Sequence, residues 1–484
     1  MTEKSGMISA GKYNAHGLTD MGSMNRISME KKEQSIVRAI LTLAIPTILE
    51  QMLSTLLQYV DTAMVGRLGE DATASVSVTT TVTWLIASVP AALSVAALSL
   101  IAQAVGSRDR VKMKRVAGQV FLLTVICGLV MGGVSMALSP FIPVWMGADV
   151  SIQKQASTYF LIISAPMVFR SCSSILGAAI RATKDAKTPM VINLCANGLN
   201  VGLNYVLIYT LGLGVNGAAI ATAVSYVLAG ICMFVVFRKK EELRFAWKDC
   251  RWNREIAWEC ARISIPVLGT NVASCLGYVV FASLVTGMGN RIFAAHSIAV
   301  TAETLFYIPG YGLRMAVSTL VGIALGEGNR RKFEAVARAG IWLTMCMMVI
   351  NGVVLYFAAY GLMRLFTSSA EVARIGAQML QLVAFSEPFF GLMVIMEGIF
   401  YGLGKPKYTF YVETISMWGV RILFTYICVR VWHLGLREVW YCMIADNVCK
   451  AILLTIPMCS GSYRKKLFPA ESAKGSCTME KSVL

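Results

Sequence analysis

Charge is scarce in this chain: Asp, Glu, Lys and Arg make up 15% of 484 residues, while 56% are hydrophobic. A soluble globular domain carries roughly a quarter charged residues, so the shortage excludes that class and places the chain in a bilayer. Histidine is rarer still. Three in the whole sequence, with no HExxH, leave a metalloenzyme without its ligand set. Thirteen cysteines are scattered singly with no CxxC, mostly inside apolar segments (Cys127, Cys172, Cys195, Cys232, Cys275, Cys346, Cys442, Cys449). That favours small apolar packing over a disulfide framework or a metal site. No nucleophile, metal or acid-base set clusters, so a membrane-embedded enzyme lacks its machinery.

Long apolar runs are what the chain has instead. About twelve stretches exceed the roughly 18 residues expected of a spanning helix: 38–65, 74–104, 115–143, 155–181, 188–211, 215–237, 257–285, 294–325, 335–363, 375–401, 408–433 and 437–459. A polar leader with Lys31, Lys32 and Arg38 precedes the first. That span is longer and more polar than a signal-peptide core and no small-residue cleavage site follows it, so it is expected to be retained.

The net charge of +17 falls in alternate loops. Arg108, Arg110, Lys112, Lys114 and Arg115 follow span two; Arg181, Lys184 and Lys187 span four; Arg238, Lys239 and Lys240 span six. Arg330, Arg331 and Lys332 follow span eight, Lys405 and Lys407 span ten, and Arg464, Lys465 and Lys466 span twelve. The other loops are nearly neutral, which is the positive-inside pattern and predicts cytoplasmic termini in a multi-pass plasma (inner) membrane protein. A nucleic-acid partner is not expected, because no fold for groove or strand recognition is present.

The sequence also reads twice. Ile45-Pro46, Gly69 and Gly106 recur at one offset as Ile265-Pro266, Gly289 and Gly326, as a duplicated architecture would require. Residues 1–37 read as a polar N-terminal tail, 38–237 as a six-span lobe, 238–256 as a cytoplasmic linker, 257–459 as a second six-span lobe and 460–484 as a polar C-terminal tail. Both tails lack apolar periodicity and are expected to be flexible. Six is even, so the halves enter the membrane in the same orientation. The fold class is an all-α integral membrane protein of twelve transmembrane helices in two parallel six-helix repeats, with substrate held between them.

Two nucleotide-type motifs fail on context. Gly212-Leu213-Gly214-Val215-Asn216-Gly217 matches GxGxxG, but no strand precedes it and no acid follows about twenty residues on; it reads as a turn. Gly404-Lys405 lacks the first P-loop glycine and has Pro406 where Ser or Thr is needed. Transport energy would come from an ion gradient, with no cofactor.

Polar residues inside spans carry the remaining signal, since a charge at mid-bilayer costs about 2.5 to 3.5 kcal/mol. Glu50, Ser54, Gln58 and Asp61 step by four, four and three on one face of span one, and Asn193, Asn197, Asn200 and Asn204 make a similar stripe in span five. Hydrogen bonding between helices accounts for asparagines readily; a carboxylate is harder to explain so. Asp61 has only Arg170 as a basic residue of comparable depth in its half, and the repeat places Phe281 opposite it. Such a carboxylate can exchange a proton, or hold sodium with oxygens from Asn200, Asn204 and Thr222. Pro46 removes a backbone bond from span one and is a candidate helix hinge. In the second half Glu303 and Arg314 share a face of span eight, Glu387 and Glu397 lie in span ten, and Glu413 and Arg421 in span eleven. Glu50, Arg170, Glu303, Arg314, Glu397 and Glu413 form a possible substrate or ion-pair network, with Glu303 and Glu397 the favoured contacts for a cation. Asp446 and Lys450 are spaced to neutralise each other. Tyr59, Tyr278, Phe306, Tyr307 and Phe390 are candidates to stack on a flat cation.

Asp61-Thr62-Ala63-Met64-Val65-Gly66 after Pro46, Leu100-Ile101-Ala102-Gln103-Ala104-Val105-Gly106, Arg181-Ala182-Thr183-Lys184-Asp185-Ala186-Lys187-Thr188-Pro189 and Gly217-Ala218-Ala219-Ile220-Ala221-Thr222 resemble the signatures of multidrug and toxic compound extrusion (MATE) transporters of the bacterial type. The resemblance covers about 38–460. It implies V-shaped six-helix lobes, and a secondary active antiporter, expected to be a monomer among membrane lipids, that exports cationic or amphipathic small molecules in exchange for H+ or Na+. The cation-coupling site it implies falls on Asp61, Asn200, Asn204 and Thr222. Asn204 stands where the family often has Asp, which removes a negative charge, and Lys184 replaces a common glycine. No metal is implied beyond Na+ at that site. The alternative is a flippase-type transporter of lipid-linked precursors from a related fold, expected to line its cavity with several arginines.

Overall fold

A computed structural model of the chain describes residues 13–460, and all regular structure among them is helical. The main helices are α1 (Tyr13–Gly66), α2 (Glu70–Ser107), α3 (Arg110–Leu138), α4 (Val150–Ser164), α5 (Met167–Ala182), α6 (Lys187–Thr210) and α7 (Gly214–Lys239) in the first half. In the second half they are α8 (Arg254–Thr286), α9 (Asn290–Gly326), α10 (Arg330–Phe366), α11 (Ala370–Ala384), α12 (Glu387–Gly402), α13 (Lys407–Val431) and α14 (Leu436–Cys459). Ten are long and apolar enough to span a bilayer singly. The remaining two spans are bent pairs, α4 with α5 at 55° and α11 with α12 at 58°, which completes twelve. Each break has its proline: Pro166 precedes α5 and Pro388 sits in the first turn of α12, where a missing N–H is tolerated. The duplication therefore extends to the bends, which the apolar runs alone did not reveal.

The leader departs from its expectation as a flexible tail, because α1 begins at Tyr13. Met29, Glu30, Lys31, Lys32, Glu33 and Gln34 favour helix, and no glycine or proline intervenes between Met24 and Ile45. Residues 1–12 and the tail from 461, with Arg464, Lys465 and Lys466, lie outside the described residues. The linker is a folded strap. Arg238 donates to the Phe245 carbonyl at 2.7 Å and lies 4.6 Å over its ring, while the Asn253 N–H donates to Gln119 on α3. Gly212 and Gly214 adopt positive φ in a turn between α6 and α7, as read from sequence.

The two lobes meet at the end that carries the basic loops. A Cβ on Gly106 would collide with the carbonyl oxygen of Ile323, and one on Gly326 with the carbonyl oxygen of Gln103. The repeat register makes these two contacts equivalent under exchange of the halves, so the repeated glycines are where α2 and α9 cross. Gly322 against Ala102 and Gly312 against Ile48 extend the close approach, as small residues do between membrane helices. Ser99 and Gln103 both donate to the Gly402 carbonyl at 3.3 Å. On the outer flanks Leu129, Trp342, Ile350 and Phe357 are exposed apolar side chains, the surface a bilayer would cover.

Candidate functional site

α1 and α6 run parallel and are zipped by their polar stripes. Asn193 donates to Glu50 at 2.6 Å, Asn197 to Ser54 at 2.8 Å, and Asn204 to Asp61, and every pair is 143 positions apart. That constant separation is what two in-register parallel helices produce, and it turns two stripes into one ladder. Gln58, on the same stripe, is exposed. At the top of the ladder Asn204 also donates to Asn200 at 3.3 Å, Asn200 to the Thr222 hydroxyl at 3.2 Å, and Thr222 to the Ala218 carbonyl at 2.9 Å. The four residues expected from sequence thus form one hydrogen-bonded chain. The Asn204 carbonyl oxygen is buried without a donor. Carboxylate, amide and hydroxyl oxygens are the ligand types that hard cations take. Phe281, the register partner of Asp61, is buried against His296, with ring centroids 5.5 Å apart, so the second lobe has no equivalent. α1 continues without interruption through Pro46.

A cavity of about 470 Å³ lies between the lobes. Two ion pairs line it, one from each lobe. The Nη2 of Arg181 donates to both Glu50 oxygens at 2.7 and 2.8 Å, and Arg314 donates to Glu397 at 2.6 Å, with Tyr401 a second donor to that carboxylate. Arg181 therefore leaves the tally of loop cations: it closes α5 with its head in the cavity. Arg170 also lines the cavity, 5.0 Å over the Tyr226 ring. Asp61 does not line it; it stands about three turns along α1 from Glu50.

The remaining acids of the second lobe separate into different environments. Glu303 and Arg314 share a helix face but not a partner, since Tyr307 donates to Glu303. Glu303 is buried away from the cavity lining, which removes it from direct substrate contact in this conformation. Glu413 is buried behind the lining with one oxygen unbonded, and both oxygens of buried Glu387 lack donors. Asp446 pairs with Lys450 at 3.0 Å as the spacing predicts, and also with Arg421 at 2.9 Å, an ionic contact too oblique for a hydrogen bond. Ser416 donates to the same carboxylate at 2.6 Å. Tyr307 and Phe390 stack on each other in the core at 4.0 Å, and Tyr278 faces Arg421. The rings that reach the cavity are Tyr226 and Tyr401, neither of them among the sequence candidates. Tyr401 was within reach of the sequence, because the repeat register places Tyr401 on Arg181.

The family model described as MatE matches this chain twice, over 46–206 and 266–427, once in each lobe. The chain belongs to the MatE family. Its members are transporters, not enzymes, and the family is one of multidrug efflux. A probable multidrug resistance protein NorM of Thermotoga maritima is 28% identical over 437 residues, covering 89% of this chain and 94% of that protein. The solved structure of a MATE protein in complex with MaD3S superposes with a TM-score of 0.84 at 23% identity, covering 90% of this chain and 97% of that one. An outward-facing multidrug resistance MATE transporter of the MOP superfamily gives 0.83 at 23%, covering 89% and 96%. These structural likenesses establish the MATE fold, with its multi-pass helical architecture.

Proposed function

We propose that the protein is a secondary active exporter that exchanges cationic or amphipathic drugs for protons or sodium by alternating access. The Asp61 site carries the reading: a carboxylate in a spanning helix bonded to an amide, with no Lys or Arg within ion-pair distance among the described residues. A group so placed can change charge or hold an ion without breaking a salt bridge. A proton on Asp61 removes the charge to which Asn204 donates, loosening the α1–α6 ladder at one end; sodium would draw on the oxygens of Asp61, Asn200, Asn204 and Thr222. Pro46 gives α1 a place to bend in response.

Positive-inside logic assigns the basic loops to the cytoplasm, which puts the closed glycine crossing on the cytoplasmic side of the plasma membrane and makes this conformation outward-facing. One chain encloses the cavity, which supports a monomeric transport unit. The test is flux of a fluorescent cationic dye in proteoliposomes under imposed proton or sodium gradients. Asp61→Asn is expected to abolish gradient-driven exchange while leaving dye binding measurable; wild-type rates in that variant would overturn the coupling role.

A second reading, export or flipping of lipid-linked precursors, gains from Arg181. Arg170, Arg181 and Arg314 give the cavity three arginines where sequence supplied two. Movement of a labelled lipid-linked saccharide, with no gradient-driven dye flux, would favour it.

A further inference from the structure

The cavity between the lobes holds three arginines and two glutamates, and its charge is not balanced. Glu50 already accepts from Arg181 and Asn193, and Glu397 from Arg314 and Tyr401. Each carboxylate is thus already paired with an arginine, which lessens its pull on a cationic ligand. Arg170 has no such engagement. Among the described residues its guanidinium lies over the Tyr226 ring, with Tyr159 also in its field, and has no carboxylate within ion-pair distance. A guanidinium offers five N–H donors, and a ring face satisfies charge but accepts few of them. Arg181 and Arg314 each keep a buried Nε–H without an acceptor. The unpaired charge is therefore that of Arg170, one positive net unit, in a chamber with serine and asparagine side chains and an aliphatic wall of Val95, Leu98, Val267 and Met315.

We infer that the cavity takes an amphiphile bearing an anionic oxygen group, a carboxylate or a phosphate, which docks on Arg170 while its apolar body lies against the aliphatic wall. This rests on the export reading and narrows its substrate class: a drug whose charge is purely cationic leaves Arg170 unmatched, whereas a zwitterion answers both signs in the chamber. The volume, about 470 Å³, lies within the range that holds a drug-sized molecule. Planar bidentate recognition is the interaction in which arginine excels and lysine does not.

The probe is a carboxyrhodamine and its methyl ester, which share one cationic ring system and differ by one carboxylate. Binding to the full-length protein in phosphatidylcholine nanodiscs is measured by fluorescence anisotropy. The acid is expected to bind about tenfold more tightly than the ester. Arg170→Gln should bring the acid to the affinity of the ester and leave the ester unchanged, and Arg170→Lys should recover only part of the difference. Equal binding of acid and ester by the unmodified protein, or a preference for the ester, overturns the inference without any variant; so does a preference for the acid that survives Arg170→Gln. Nanodiscs containing phosphatidylglycerol separate the sources of the anion: displacement of the acid assigns the position to a lipid headgroup, and undiminished binding to a free amphiphile. Failure of both dyes to move under any gradient, with the binding preference intact, would sink the export reading alone.

Discussion

Arg181 and Tyr401 are register partners in the two halves of the chain, and each donates to a glutamate in the same cavity, Arg181 to Glu50 and Tyr401 to Glu397. The acceptors are not register partners: Glu50 lies on α1, and Glu397 one turn before Tyr401 on α12. In the second lobe the cation comes from α9, as Arg314, so two ion pairs that look symmetrical are assembled differently.

Removing Arg181 should expose this difference. In Arg181→Gln, Glu50 keeps Asn193 but loses its cation, and the cavity charge falls by one unit. A singly charged cationic dye should then bind several-fold more tightly than to the unmodified protein, read by equilibrium fluorescence; weaker binding would mean that the pair is needed to shape the chamber.

Asp446 sits between two cations in a site with no solvent exposure. Asp446→Asn leaves Arg421 and Lys450 buried without a carboxylate at ion-pair distance, a change that costs about 3 to 5 kcal/mol. The melting midpoint in detergent should drop sharply, and Asp446→Asn combined with Lys450→Met should recover part of the loss.

Lys184 adopts φ 66°, a left-handed conformation in the turn after α5. A side chain pays about 1 to 2 kcal/mol there and glycine does not, although glycine gives back about half of that to unfolded-state entropy. Lys184→Gly should raise the melting midpoint by a small amount without altering dye flux.

Asp185 lies in the same turn, outside the membrane, and ties it to Lys240 at 2.6 Å. Burial pushes its carboxyl up, but the hydrogen bonds from Lys240 and Thr188 and the charge of Lys240 outweigh this and hold it below the usual carboxylate value. A carboxyl depressed on folding contributes stability above its unfolded value and loses it as pH falls through the folded one. Thermal melts should therefore show an acid destabilisation on going below the ordinary carboxylate range that is smaller in Asp185→Asn; identical acid limbs in the two proteins would assign the effect elsewhere.

At the glycine crossing, Gly106→Ala places a methyl group against the Ile323 carbonyl. The closed arrangement should lose population, and the distance between spin labels at Arg108 and Glu327 should lengthen; an unchanged distance would show that the crossing yields without opening.

What the sequence made legible was local or periodic. The steps of Asp61, Asn200 and Asn204 along their helices identified two polar faces, and parallel packing of α1 on α6 needed only to bring them together. Asp446 and Lys450 were legible because four residues make one turn. Arg181 was misread because distance along the chain hides its partner: it stands beside a basic loop, and Glu50 is 131 positions away. Arg421 as a third member of the Asp446 cluster, and the bends at Pro166 and Pro388 inside continuous apolar runs, depended on tertiary packing in the same way. The depth of Glu303 in span eight points to the cavity, but its face of α9 packs into the core, where Tyr307 one turn on donates to it.

The crossing of Gly106 over Ile323 and of Gly326 over Gln103 sets main chain against main chain. A closure made this way carries no ionisable group at its tightest points, so ionic strength and pH have little purchase on it. The signal to part must arrive mechanically from the ladder and the cavity, and because the two contacts are copies of one another, they must release in concert.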